Sequence, residues 1–209
     1  LYFGEMHLGQ ESKIFLAEHI ADLKKQGIGA VGMEMFNSVH QDLLDNYFND
    51  KASFDDVKKV LEAEWGYESA NYLKMIVTAK AAGMRIIGLD DRSHDWEGGF
   101  MPSIHNRDEH MAKVLADAIT AKPELRIAVL CGRMHAFENF SDTKQILSQP
   151  ALLNEQYHIS TQSMLIYSAV ELSDPGYNAM ATAIAGEGVS IITEMPSDYV
   201  YADYMLFLR

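Results

Sequence analysis

The stretch R-I-A-V-L-C-G-R-M-H, Arg126 to His135, decides how the whole chain is read. Arg126 to Cys131 is a mainly apolar run of strand length, Gly132 ends it, and Arg133 and His135 follow at once. The same order recurs at three places upstream. Ile28 to Met35 carries Gly32, Met33 and Glu34, and Met84 to Leu89 carries Gly88 and runs on into Asp90, Asp91 and Arg92. The chain opens on L-Y-F-G-E-M-H-L-G, in which Leu1 to Phe3 reads as the tail of a further strand and Gly4-Glu5-Met6-His7 as its end. Side chains alternate faces in an extended segment, so Glu5 and His7 are expected to point the same way.

Helical spacing of apolar residues fills the intervals, over Ser12 to Lys25, Ser38 to Asn49, Phe54 to Glu64, Ser69 to Ala82 and His105 to Ala121. Strands alternating with helices predict an α/β fold, a single domain over residues 1–209 with a central, largely parallel sheet flanked by helices. The last third differs. Tyr157 to Val170, Gly188 to Thr193 and Tyr199 to Leu208 read as strands with shorter connections, an antiparallel C-terminal extension of the sheet. Asp91 to Ser103, with Gly98, Gly99 and Pro102, reads as a mobile loop beside a site.

Length and composition set bounds. With 209 residues, 48% of them hydrophobic, the chain suffices for one substantial core. No apolar run reaches the roughly eighteen residues that a membrane span needs. A soluble, cytoplasmic protein is expected, although the chain opens on an apolar segment without methionine, which leaves room for a leader or a domain upstream. The formal charge of −13 argues against nucleic acid as partner, since phosphates are held by clustered Lys and Arg. The single cysteine, Cys131, excludes an intramolecular disulfide, and its apolar setting marks it as a packing residue.

Ligands of open α/β sheets bind in the crevice at the carboxyl ends of the strands, and the ionisable residues of this chain collect there. One polar residue after a strand is an ordinary loop residue. Four apolar strands that each end in glycine followed by Glu, His, Asp or Arg point to a site. N-R-D-E-H-M-A, Asn106 to Ala112, adds Arg107, Asp108 and His110; as the opening of a helix, its Asp108 and Glu109 would otherwise only complement the helix dipole.

Taken together, G-E-M-H, V-G-M-E-M-F, N-R-D-E-H-M-A and C-G-R-M-H resemble, in order and spacing over Leu1 to Phe140, the superfamily that groups erythromycin-esterase-like enzymes, ChaN-like haem-binding uptake proteins and the TIKI and TraB proteins. E-W-G-Y, Glu64 to Tyr67, is similar to an aromatic region of the ChaN-like branch. The resemblance implies a site of Glu5, His7, Glu34, Arg107, Asp108 and His135. It also implies chemistry that differs by branch: hydrolysis by activated water, a metal-dependent peptidase around the G-x-x-H pattern of Gly132 to His135, or haem binding.

The residues themselves allow each of these. A hydrolase needs a base, a group that orients it and a positive group for the developing oxyanion. His7 or His135 would be the base, Glu5 or Glu34 the orienting carboxylate, and Arg107, Arg92 or Arg133 the positive group. Asp90, Arg92, Trp65, Tyr67 and Arg133 are the candidate substrate contacts, for a small-molecule or peptide substrate. No cofactor is the first expectation. A divalent metal is the alternative suggested by histidines and carboxylates on separate strand ends, and haem is the one suggested by Tyr67, Tyr72, His105 and His110 as axial candidates. A binding domain without turnover is the remaining alternative. His19, His40 and His158 read as surface or packing residues, the last in a late strand, whereas His94, His105 and His110 could be carried over the site.

Overall fold

Strands that are apolar on both faces can exist only between two layers of helices. The computed structural model of the chain describes residues 1–92, 100–138, 147–168, 171, 190–192 and 202–208, and it has this form. The strands are β1 (Tyr2–Glu5), β2 (Ala30–Asn37), β3 (Arg85–Asp90), β4 (Ile127–Gly132), β5 (Ser163–Tyr167), β6 (Ser190–Ile192) and β7 (Tyr204–Phe207). The helices are α1 (Glu11–Lys25), α2 (Gln41–Phe48), α3 (Phe54–Glu64), α4 (Ala70–Ala81), α5 (Phe100–Ala121) and α6 (Gln149–Tyr157).

The sheet order is β3-β2-β4-β1-β5-β7-β6, parallel throughout except for the last pair. Alternation splits the core in two. Phe3, Val31, Met33 and Leu130 pack on one side with Leu16, Ile20, Val57, Leu61 and Met75 of α1, α3 and α4. Tyr2, Ala30, Val129 and Cys131 pack on the other with Met111, Leu115, Leu152 and Leu153 of α5 and α6. Local signals agree with the ends of the elements: Ser53 and Asp56 form a reciprocal capping box at the start of α3, and Gly27 and Gly83, with positive φ, close the turns after α1 and α4.

The order of strands also locates the crevice. From β1 the chain moves outward to β2 and β3, returns to place β4 between β2 and β1, and then crosses to β5 on the far side of β1. The direction of winding reverses at β1 and β4, the position where such sheets bind ligands. Register there aligns Glu5 with Gly132.

Three expectations from the sequence are corrected. Among the described residues, only the last pair of the C-terminal strands runs antiparallel. β5 arrives from α6, a crossover that delivers it parallel to β1, and β7 joins parallel to β5. The three-residue edge strand β6 runs antiparallel to β7. Residues 149–157 are helical, with Pro150 in the first turn, so the strand read over Tyr157 to Val170 shrinks to β5. His158 ends α6 in the left-handed region (φ 56°), not in a strand. The third correction concerns α5, which begins at Phe100. Asp108 and Glu109 therefore lie in its third turn, too deep to answer the dipole. Of the loop read over Asp91 to Ser103, Ser103 is helical, and residues 93–99, with His94 and Trp96, lie outside the described residues.

A Cβ at Gly4 would sit 2.7 Å from the Ala136 Cβ and 3.1 Å from the Arg133 Cα. The latter is backbone and cannot swing away. Gly4→Ala is expected to destabilise the chain by about 1–3 kcal/mol through overpacking, read in a thermal melt as a fall of roughly 2–4 °C per kcal/mol; an unchanged melting temperature would contradict this packing.

Candidate functional site

Glu5, the last residue of β1, is a carboxylate with no exposed surface to speak of (1%). Four donors answer it. His7 Nδ1 lies 2.8 Å from Oε1, the Tyr72 hydroxyl donates to Oε1 at 2.6 Å, and the Ser12 hydroxyl (3.1 Å) and the Lys13 ammonium meet Oε2. Burial alone would raise the Glu5 pKa, but the His7 hydrogen bond and the Lys13 charge more than offset it, and the carboxyl sits below its ordinary range. The same burial, beside that carboxylate, pushes the Tyr72 hydroxyl far up, so it stays a donor.

Glu34, in β2, is the centre of the second cluster. Its Oε2 accepts the Gly132 N–H at 2.6 Å and its Oε1 the Arg107 guanidinium at 2.6 Å. His135 Nε2 lies 3.5 Å and His7 Nε2 3.9 Å from Oε1. Burial works against this carboxylate, yet His135, His7, Arg107 and the Gly132 N–H together hold it far below the usual carboxylate range. Arg107 also makes a two-pronged contact with Asp90 at the end of β3 (2.8 and 2.7 Å), and Asp90 takes Arg92 as well (2.8 Å). One guanidinium on α5 thereby ties β2 to the end of β3.

His135 follows β4 in a short 3-10 turn, 5% exposed, with its Nδ1 2.7 Å from Asp108. Desolvation would lower its pKa, but Asp108 and Glu34 outweigh this and raise it to about 9. Burial raises the Asp108 carboxyl in turn, against the pull of His135. His135 is thus held as an imidazolium at neutral pH, against Asp108. The close approach of Gly132 is what lets His7 reach the same centre: a Cβ there would lie 2.9 Å from His7 Nε2.

The sequence-named residues divide cleanly. Glu5, His7, Glu34, Arg107 and His135 line a cleft of about 660 Å³, together with Tyr67 and Arg133 and the apolar Met6, Leu8, Ile104, Met134 and Phe137. Asp108 stands behind His135, and Asp90 behind Arg107. Arg92 and Trp65 stack on each other at 4.4 Å, and Trp65 packs edge-on against the His7 ring at 4.8 Å, so both support the floor without lining it. Arg133 turns toward β5, where it meets Glu171, the Ile166 carbonyl and the face of Tyr167. Of the four haem-ligand candidates, Tyr67 alone borders the cleft, 44% exposed. Tyr72 is fully buried on Glu5, His105 faces Glu109 (3.3 Å), and His110 bonds Ser38 (2.8 Å) beside a separate cavity of about 440 Å³. Lys13 and Ser12 were missed as members of the site, and Tyr72, read as an axial haem candidate, is instead a donor to Glu5; the one available signal for Lys13 was a lysine on the otherwise apolar face of an amphipathic helix. Among the described residues no group of three or more His, Cys, Asp and Glu side chains is arranged to hold a metal ion, and no helix is long and apolar enough to cross a membrane.

The raised pKa of His135 has a consequence for stability. A group with folded pKa near 9 and unfolded pKa near 6.5 stabilises fully below about pH 6.5, and that contribution is lost as pH climbs to 9. Denaturant unfolding at pH 6, 7.5 and 9 is expected to show the wild type losing more stability than His135→Gln, by on the order of 3 kcal/mol. Parallel losses would mean that His135 is not held as an imidazolium.

No curated protein matches this sequence. Solved structures do. The type III effector HopBA1 is similar at TM-score 0.66 and 15% identity, covering 100% of this chain and 86% of that one. A mutant of the erythromycin esterase EreC in its open conformation is similar at TM-score 0.67 and 10% identity, covering 99% and 90%. ChaN of Campylobacter jejuni, in a structure titled for cofacial heme binding, is similar at TM-score 0.56 and 13% identity, covering 100% and 86%. At these identities the likeness is one of fold. Residues 1–96, which hold the first two of the four motifs, match the family described as haem-binding uptake, Tiki superfamily, ChaN.

Proposed function

We propose that the chain is a hydrolase in which His7 activates water. The observation that carries this reading is the Glu5–His7 contact of 2.8 Å, which leaves the other ring nitrogen, Nε2, on the side of the cleft. With Nδ1–H donating to a carboxylate, Nε2 keeps its lone pair and can take a proton from water. Glu5 orients the ring and stabilises the imidazolium that forms, as the acid of a triad does.

His135 takes a different part. Held protonated by Asp108, it is no base at neutral pH, which separates the two histidines that the sequence left interchangeable. Its Nε2–H is only loosely engaged by Glu34 at 3.5 Å, so it can turn to a developing oxyanion or protonate a leaving group. Glu34 keeps His135 charged and binds Arg107 in place. Arg107 lines the cleft with its Nε and Nη2 donors engaged by Glu34 and Asp90, and adds its positive charge to the field at the reacting atoms. The reaction class is acyl transfer to water, as on an ester, lactone or amide.

A second reading is favoured by one observation. Tyr67 is exposed at the edge of the cleft, next to the half-exposed or exposed Met6 and Leu8, which suits a flat apolar ligand with an iron to be coordinated by a phenolate. Haem would be held there by Tyr67 and would supply iron for uptake, with no part in hydrolysis.

A panel of chromogenic esters, lactones and peptides tests the first reading. On the best substrate, Glu5→Gln and His7→Ala are each expected to lower kcat by about 10²- to 10⁴-fold. Full activity in both would end it. Haemin titration tests the second: a Soret shift lost in Tyr67→Phe but kept in His7→Ala is the expected signature.

A further inference from the structure

Lys13 is the least expected residue of the site. It belongs to the first turns of α1, and its side chain is entirely buried, a rare state for lysine. Its ammonium is surrounded by oxygen. It bonds the carbonyls of Met6 (2.9 Å), His7 (3.0 Å) and Gly9, and it meets the Glu5 carboxylate. The Tyr72 ring lies under it, 5.1 Å from Nζ to the centroid. Residues 6 to 9 are the turn that carries His7 off the end of β1. The ammonium thus grips the backbone on both sides of His7 and, through Glu5, the ring as well.

We propose that Lys13 is the positioning residue of His7: it clamps the turn of residues 6 to 9 and supplies the charge that keeps Glu5 an acceptor for His7 Nδ1. This rests on the reading of His7 as the base. Glu5 and Lys13, both buried, cancel each other, so a neutral His7 on the cleft side leaves the group without net charge and the base in its working form. Without Lys13, Glu5 is left as a buried negative charge beside His7, which is relieved by a proton taken up on Glu5 or His7. Either location removes the lone pair or the acceptor that the base needs. Lys13 therefore lowers the pH at which the pair is ready to act.

Other charged and titratable groups face this trio. Glu34 of β2 lies 3.9 Å from His7 Nε2, Arg107 of α5 and His135 after β4 meet that same carboxylate, and Tyr72 of α4 bonds Glu5. Tyr67, 5.1 Å from the His7 ring, completes the cleft side, and Glu11 and Glu171 add negative charge around Lys13. None of the cations among them is bonded to Glu5, so none replaces Lys13 there.

The test is the titration of the His7 ring nitrogens by NMR in the full chain, with His7→Ala to assign them. Lys13→Met is expected to raise the midpoint of the Glu5–His7 pair by about one pH unit or more, and to move the acid limb of the pH–rate profile of the active substrate up with it. A role in folding alone would lower stability and leave the midpoint where it was, and that result overturns the proposal. If Lys13→Met does not fold, the comparison is Glu5→Gln against Glu5→Gln with Lys13→Met, which leaves no lone buried carboxylate. The His7 midpoint is then expected to be higher in the double variant, and equal midpoints overturn the proposal. Hydrolysis that survives in His7→Ala would instead remove the base assignment while the coupling of Lys13 to His7 stands.

Discussion

A carboxylate buried where three strands end has to be answered by positive charge, and the architecture of this protein follows from how Glu34 is answered. It receives a backbone N–H from β4, a guanidinium from α5 and the neighbourhood of two imidazoles. An unanswered carboxylate at 1% exposure would cost several kcal/mol, so the ends of β1, β2 and β4 and the middle of α5 are held to one arrangement. Asp90 extends the constraint to β3 through the same guanidinium. The alternation of the strands sets the two cores, but Glu34 and Arg107 set where the strand ends stop relative to one another.

Much of this was legible in the amino-acid order because the sheet leaves a strong imprint. Ile28 to Met35, Met84 to Leu89 and Arg126 to Cys131 are buried over most of both faces, so they read as mainly apolar runs, and a charge directly after such a run is placed at the rim. The meeting of Glu5, His7 and His135 at one cleft follows from that rule and from the strand order, whereas Glu34 lies within β2 and Arg107 comes from α5. The C-terminal third was harder. Residues 149–157 show almost no one-sided apolar pattern, because their helix buries Gln149 and Pro150 as well as Leu152 and Leu153 and leaves its end in water. The start of α5 was hidden for a different reason, since Pro102 marks a loop by composition yet is well tolerated in the first turn of a helix.

Roles within the site were less legible than membership. His7 and His135 look alike in a string of letters, each three residues past a strand glycine, Gly4 and Gly132. Their difference arises from partners far away in sequence: Asp108, 27 positions before His135, keeps it charged, while Glu5 is offered to His7 by its own strand. Arg92 and Arg107 likewise share the partner Asp90, but only Arg107 also reaches Glu34 and the cleft. Lys13 was passed over because a lysine near the start of a helix is normally a solvent residue, and its place on the apolar face was the one local hint that its ammonium closes on the turn four to seven residues upstream.

The way these charges pair has an effect beyond the cleft. Glu5, Glu34, Asp90 and Asp108 are matched by Lys13, Arg92, Arg107 and protonated His135, so the interior of the site is electrically balanced. The negative charge of the chain is therefore carried by the rest of the molecule. Salt screens exposed pairs such as Lys25–Asp22 and Lys113–Asp117 and hardly touches covered ones. Changes in ionic strength thus alter how fast charged molecules arrive, with anions repelled least at high salt, while the geometry that meets them on arrival stays the same.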